Sequence, residues 1–207
     1  TLSAARIGSE LRLLAAESDP VAALRALDEL GAATAIDPAL AFPRQRAAIA
    51  TTALDALPPG SRRDLTVLAA ALLDTPRERL MTLLDSFEYP AADRDAIIEA
   101  ATDARRLAAA LATVETGSAI AREVGTAGVA TIALATALGD PARPRQWLSS
   151  LSHRTLQITG ADLLAAGVPE GPAIGRGLAA ARDAMLDEEA GDRETQLRVA
   201  LAHCDEP

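Results

Sequence analysis

The chain has 207 residues, of which 49% are hydrophobic and 24% charged, and its net charge is −9. This composition supports a buried core in one large or two small domains and excludes a chain that is disordered throughout. Alanine and leucine supply most of the apolar side chains, and only four residues are aromatic. Because alanine and leucine favour helices and β-branched residues are scarce, the composition excludes a β-sandwich or barrel.

The sequence predicts neither a membrane span nor a disulfide framework. It has no uncharged apolar run of 18 residues, and its single cysteine is Cys204. We therefore expect a cytoplasmic protein with no membrane partner. Residues 1–6 match neither a signal peptide nor an initiator sequence. This start is typical of a portion of a longer protein.

Helix start and stop signals recur along the whole chain, and no segment has the pattern of a strand. The proline pair before Gly60 is the clearest segment boundary. Helix starts are predicted at Ser3, Asp19-Pro20, Ser61, Asp140-Pro141, Thr159, Gly171-Pro172 and Asp192. The chain is therefore predicted to be all-α, in three successive segments: 1–57, 58–140 and 141–207.

Two motifs of the middle segment are interpreted as helix caps. Thr75 and Glu78 have the spacing of a capping box, with proline between them at the first helical position. Asp93 and Asp95 have the spacing of paired metal ligands, but they fall at a predicted helix start, where acidic side chains favour the helix dipole. We expect no metal site there.

Charge is distributed unevenly along the chain. The net charge is −2 over residues 1–57, −4 over 58–140, +3 over 141–182 and −6 over 183–207. Residues 141–161 contain no acid at all. The acidic residues 187–189, and Asp192 with Glu194, are interpreted as solvated helix ends and turns.

The positive stretch has the features of a phosphate-binding surface. Helix starts present backbone N–H groups and the positive end of the dipole to phosphate, glycine permits close approach, and arginine adds bidentate contacts. The candidate residues are Arg143, Arg145, Arg154, Thr159, Gly160, Gly171, Gly175 and Arg176. Two structural alternatives stay open: a solvated helix face for the arginines, and tight turns or close helix packing for Gly171, Gly175 and Gly177.

No catalytic or metal-binding constellation is recognisable in the sequence. A phosphate loop with lysine is excluded, because the chain contains no lysine. His153 and the adjacent pair His203 and Cys204 do not have the spacing of a zinc site. We therefore predict no catalytic residue, no metal and no cofactor in this chain, and expect it to be non-catalytic on its own.

Residues 158–188 resemble the tail of bacterial CCA-adding and poly(A) polymerase-type tRNA nucleotidyltransferases. The family pattern is a hydrophobic-Thr-Gly-x-Asp-Leu element, then Gly-hydrophobic-x-x-Gly-Pro-x-hydrophobic-Gly, then a helix. The matching positions are Thr159, Gly160, Asp162, Leu163, Gly167, Gly171, Pro172 and Gly175.

The N-terminal residues resemble the neck of the same family, in which a Ser-x-x-Arg-Ile-x-x-Glu-Leu helix follows the catalytic head. Residues 3–11 match this pattern, 23–31 and 36–40 continue it, and the middle segment resembles the body less closely. Nothing in the chain matches the head, so the Mg²⁺ and nucleoside triphosphate of the family are implied for a head domain outside this chain. A phosphohydrolase body of the kind some relatives carry is excluded, because Leu73 precedes Asp74 where that motif has histidine.

The resemblance implies an elongated all-α neck (1–57), body (58–140) and RNA-binding tail (141–207). Their implied role is to hold tRNA so that its 3′ end reaches the head for nucleotide addition. The alternative is a headless helical module for protein interaction or homo-oligomerisation that does not bind RNA. The net charge of −9 and the scarcity of aromatic side chains for base stacking favour that alternative.

Overall fold

The structure is a computed structural model that describes residues 3–204. Over this range it contains α-helices and two short 3₁₀ helices, Pro38–Leu40 and Leu151–His153, and no strand, so the all-α prediction is confirmed. None of the described helices is long and apolar enough to cross a membrane. The helices are α1 (Ala4–Ala15), α2 (Pro20–Glu29), α3 (Ala32–Ile36), α4 (Arg44–Ala56), α5 (Arg63–Ala71), α6 (Arg77–Ser86), α7 (Ala91–Leu111), α8 (Gly117–Val124), α9 (Val129–Leu138), α10 (Ala142–Ser149), α11 (Gly160–Ala165), α12 (Pro172–Leu186) and α13 (Arg193–Cys204).

Several helices begin at the capping residues that the sequence predicts. The side chains of Ser3, Asp19 and Asp192 each accept a hydrogen bond from the backbone N–H three residues further on. Each cap satisfies an amide that has no partner within its helix. Gly31 follows the end of α2 with a φ of 72°, a left-handed conformation that glycine adopts without steric cost.

The predicted capping box of Thr75 and Glu78 is wrong. Helix α6 begins at Arg77, and Pro76 occupies its N-cap position in an extended conformation, with no side-chain cap. Because the cap position falls on the proline, Thr75 lies one residue too early to bond to the amides of the first turn.

Asp93 lies in the first turn of α7, where the helix dipole favours an acid as expected, but it is not the N-cap residue. Pro90 occupies the N-cap position of α7, and no side chain caps that helix. The Asp93 carboxylate instead accepts hydrogen bonds from Arg62 at 3.2 and 3.0 Å, and Asp95 accepts from the Nε of Arg94 at 2.9 Å. Both carboxylates therefore take part in ion pairs. Within residues 3–204, no three His, Cys, Asp or Glu side chains are grouped as metal ligands.

Of the described residues, the first compact unit comprises 3–113 and 124–148 and is built around α9. This helix packs against α4, α5 and α7, and residues 131–136 are all buried. A helix that is apolar on every side is stable only when it is surrounded by protein. Fully buried alanines on the neighbouring helices, such as Ala50, Ala53 and Ala104, allow the backbones to approach closely.

Arg46 connects two chain segments of the first unit through backbone carbonyls. Its Nη1 donates to the carbonyl oxygens of Ala41 at 2.9 Å and Ala71 at 2.6 Å, and its Nη2 donates to that of Leu73 at 2.8 Å. The carbonyls of Ala71 and Leu73 lie at the C-terminal end of α5, where backbone acceptors lack helical partners and a positive charge is favourable. Arg46 thus serves the fold.

The second compact unit comprises the described residues 114–123 and 149–204. Its core contains the buried side chains Ile158, Leu163, Ala181, Ala200 and Cys204. Helices α12 and α13 pack together at Gly177, where an added Cβ would lie only 2.7 Å from the carbonyl oxygen of Ala200. Close helix packing, one of the alternatives open for Gly177, is therefore its role.

The two chain segments of the second unit are joined by a carboxylate cap. Asp187 accepts hydrogen bonds from the backbone N–H of Ser118 at 2.7 Å and from its Oγ at 2.8 Å. Burial opposes the charged carboxylate, but the hydrogen bonds from Ser118 outweigh it and lower the pKa of Asp187. The interpretation of residues 187–189 as a solvated helix end is thus wrong for Asp187. The division at 57 and 140 into neck, body and tail stays a prediction.

Candidate nucleic-acid interface

The predicted RNA-contacting residues are divided between the two compact units. Arg143 and Arg145 lie on α10, in the first unit, and the other candidates lie in the second. Arg145 is exposed, whereas Arg143 is half-buried and donates to the side-chain oxygen of Gln146 at 3.4 Å. The acid-free stretch of the sequence is therefore not one continuous helical surface.

At the start of α11, the carboxylate of Asp162 accepts hydrogen bonds from neighbouring side chains and backbone. The Thr159 N–H and hydroxyl both donate to the Asp162 carboxylate, at 2.7 and 3.1 Å, and Arg193 donates to its other oxygen at 2.6 Å. The backbone hydrogen bond from Thr159, followed by its hydroxyl and Arg193, lowers the pKa of Asp162. This carboxylate places a negative charge of the chain itself at the start of α11, which opposes the binding of a phosphate there.

Gly160 is explained by packing. A Cβ at this position would lie 3.2 Å from a methyl group of Ile174 on α12, which is tighter than ordinary van der Waals contact. The missing side chain therefore lets α11 approach α12. Thr159 and Gly160 match the sequence pattern. In the structure, Thr159 bonds to Asp162 and Gly160 packs against Ile174, both within the second unit.

The start of α12 differs from that of α11, because no side chain covers its backbone at Gly171 or Gly175. Gly171 has a φ of 153° and precedes Pro172, and a Cβ at Gly171 or at Gly175 would meet no atom within 4 Å. The two glycines are four residues apart and lie on the same face of the helix. Neither is required by helix packing, in contrast to Gly177. Glycine at these positions leaves the peptide groups of the first turn accessible.

One amide of this turn is available as a donor. The Ala173 N–H has no hydrogen-bond partner in the described part of the chain, and Pro172 has no N–H to offer. The positive end of the dipole of this 15-residue helix lies at the same turn, and Arg176 is exposed beside it. A backbone donor, a helix dipole and a nearby arginine are the groups that bind phosphate at helix starts.

Arg154 makes contacts within the second unit that the sequence did not indicate. Its Nη1 donates to the carbonyl of Met185 at 3.2 Å, and its Nη2 forms an ion pair of 2.7 Å with Glu188. Glu188 remains exposed, in agreement with the interpretation of this turn as solvated, and its ion pair lies at the surface. These contacts join residues 31 to 34 positions apart, a separation that no local sequence pattern reports.

Comparisons with known proteins identify the fold. No protein-family model matches the sequence. A comparison with curated proteins likewise gives no match. Solved structures do match: the Thermotoga maritima CCA-adding enzyme complexed with tRNA has a TM-score of 0.76 at 18% identity, over 97% of this chain and 52% of that chain. A CCA-adding enzyme with ATP gives a TM-score of 0.72 at 19% identity, over 97% and 51%.

An apo form of a CCA-adding enzyme gives a TM-score of 0.74 at 18% identity. The chain spans about half the length of each of these solved proteins, so it corresponds to one part of them. This agrees with the resemblance that the sequence motifs indicate. The chain has the fold of the corresponding half of the CCA-adding enzymes.

Proposed function

We propose that this chain holds tRNA and positions its 3′ end for nucleotide addition by a separate catalytic part. The observation that carries the proposal is the agreement over 97% of the chain with a CCA-adding enzyme that is complexed with tRNA. The sequence motif at residues 158–188 supports it independently, because its exposed glycines lie where the structure has a bare helix start.

The proposed contacts are to the phosphate backbone. Arg145 on α10, and Arg176 with the Ala173 amide at the start of α12, supply guanidinium and backbone donors. Such contacts position folded RNA without specifying a sequence. Arg143 is half-buried on the same helix and, two residues from Arg145, points to a different face of α10. The scarcity of aromatic side chains is compatible with this role, because backbone contacts need no base stacking.

Nucleotide transfer itself is assigned to a part of the protein outside this chain. The family chemistry implies Mg²⁺ and a nucleoside triphosphate, and phosphoryl transfer needs carboxylates that hold the metal. In the described residues the candidate carboxylates are engaged otherwise: Asp93 bonds to Arg62, and Asp74 bonds to Arg105 through both oxygens. These side chains do not fit a metal site, so no catalytic step is derived for this chain.

The test is tRNA binding by the intact chain across a salt series. Replacing a true phosphate contact should lower the magnitude of the log-affinity against log-salt slope by about 0.7 to 0.9. We expect this for Arg145→Gln and Arg176→Gln. The matched control is Arg106→Gln, an exposed arginine on α7 in the acidic middle segment, which should leave the slope unchanged.

If the Arg145 and Arg176 variants bind tRNA like the parent at every salt concentration, the tRNA-holding proposal fails. The interaction-module alternative then gains support, since the net charge of −6 over residues 183–207 opposes any polyanionic partner.

A further inference from the structure

The second unit contains an open surface cavity of about 400 Å³ that the proposed phosphate contacts do not use. Its wall carries one guanidinium, one carboxylate, amide and hydroxyl groups and a thioether. The residues concerned are Arg154, Thr155, Gln157, Met185, Glu188 and Gln196.

Hydrogen bonds to the backbone hold two polar side chains of this cavity in place, those of Gln196 and Arg154. Gln196 is only 1% exposed; its side-chain oxygen accepts from the Gln157 N–H at 2.8 Å, and its Nε2 donates to the carbonyl of Ala190 at 3.2 Å. Arg154 is fixed by its bond to the carbonyl of Met185. A wall whose groups are fixed before a ligand arrives loses little conformational entropy on binding.

The lining of the cavity has one positive and one negative side chain, and this favours a neutral ligand over an anion. Arg154 and Glu188 are the charged residues of its lining, and they form an ion pair. A phosphate would gain from the guanidinium but would be repelled by the adjacent carboxylate. A neutral group that offers both donors and acceptors satisfies the two residues together. Each retains capacity, because a guanidinium has five N–H donors and a carboxylate can accept about four hydrogen bonds.

We propose that this cavity binds an unstacked guanine base of RNA; the inference rests on the proposed function, since it assumes that RNA reaches the second unit. Guanine places two adjacent donors, N1–H and the N2 amino group, opposite a carboxylate, and O6 and N7 opposite a guanidinium. Adenine, cytosine and uracil each offer a carboxylate only one such donor group. Protein recognition of RNA sequence is usually of bases displaced from loops and ends.

Nucleosides provide the test, because they carry the base without a phosphate. The intact chain, labelled with ¹⁵N, is titrated with guanosine, adenosine, cytidine and uridine while the Arg154 side-chain N–H signal is followed by NMR. Guanosine should shift this signal saturably. Inosine, which lacks the N2 amino group, should bind about tenfold more weakly, the effect of losing one hydrogen bond to a charged group.

Two variants of the ion pair and one matched control sharpen the result. Glu188→Gln should weaken guanosine binding about tenfold, whereas Glu189→Gln, at the neighbouring exposed glutamate, should leave it unchanged. In the tRNA salt series, Arg154→Gln should lower affinity without changing the slope, because its proposed contact is to a base.

Equal shifts with all four nucleosides, or no shift with any of them, would overturn the guanine pocket. So would a decrease of about 0.7 to 0.9 in the slope for Arg154→Gln, which would make Arg154 a phosphate contact. Whichever of these results is found, the salt dependence of tRNA binding by the Arg145 and Arg176 variants tests the tRNA-holding proposal separately.

Discussion

The two compact units of this chain differ in the size of their apolar cores, whereas polar contacts join chain segments in both, through Arg46 in the first unit and Asp187 in the second. In the first unit, an apolar helix is enclosed by three others, and alanine and leucine fill the space between them. The second unit has a smaller core and adds polar contacts, such as the Asp187 cap on Ser118 and the buried Gln196. Because a small unit buries a smaller fraction of its apolar surface, these polar contacts contribute a larger share of its stability.

The largest expected effect is a loss of core packing in the second unit. Leu163 is fully buried on α11, so Leu163→Ala should lower the free energy of unfolding by about 2–5 kcal/mol. Leu178 is partly buried against the same core, so Leu178→Ala should lower the free energy of unfolding by less than Leu163→Ala does. Leu164, next in sequence and 48% exposed, is the matched control: Leu164→Ala should stay within about 0.5 kcal/mol. Denaturant unfolding measures all three; equal midpoints for Leu163→Ala and the parent would show that α11 does not pack as described.

An intermediate effect separates two glycines of the same helix. Gly177→Ala places a methyl group 2.7 Å from the carbonyl oxygen of Ala200, and the resulting overpacking should destabilise the protein by about 1–3 kcal/mol. Gly175→Ala meets open space and should stabilise α12 by about 0.5–1 kcal/mol. Thermal unfolding of the two variants should therefore shift in opposite directions. A shift of the same sign in both would contradict the assignment of Gly177 to packing and of Gly175 to an exposed surface.

A smaller effect tests the polar cap. Asp187→Asn should cost about 0.5–2 kcal/mol at neutral pH, as removal of a helix cap does. The folded-state pKa of Asp187 lies below its ordinary value of 3.8, so the carboxylate stabilises the fold fully above that value. This contribution is lost as the pH falls through the lower folded-state pKa.

The stability difference between parent and Asp187→Asn should therefore shrink progressively below about pH 4. Urea unfolding at pH 7, 4 and 3 measures it, with Glu189→Gln as a control that changes an exposed neighbouring carboxylate. A difference that stays constant over this range would mean that the cap on Ser118 does not form.

Local signals made much of the secondary structure predictable. The caps at Ser3, Asp19 and Asp192 act on amides three residues away, so the information lies within one helical turn. The same kind of reasoning failed at Thr75, where the neighbouring proline takes the cap position, and at Asp93, where an arginine 31 residues away competes for the carboxylate.

The contacts that define the second unit were not predictable, because they join distant positions. Asp187 and Ser118 are 69 residues apart, and Arg154 reaches the end of α12. Gly175 and Gly177 show the limit for the candidate site: identical residues two positions apart have opposite surroundings, since one faces open space and the other a neighbouring helix. Both glycines lie in the family-like segment 158–188, and only the packing separates the exposed glycine from the buried one.

Amide hydrogen exchange of the intact chain, with and without saturating tRNA, tests the central claim most directly. If the chain holds tRNA through the start of α12, exchange should slow at residues 171–176 and around Arg145, while the amides of the buried helix α9 keep their rates. Unchanged exchange at residues 171–176 in the presence of bound tRNA would contradict the assignment of the phosphate contacts to this helix start.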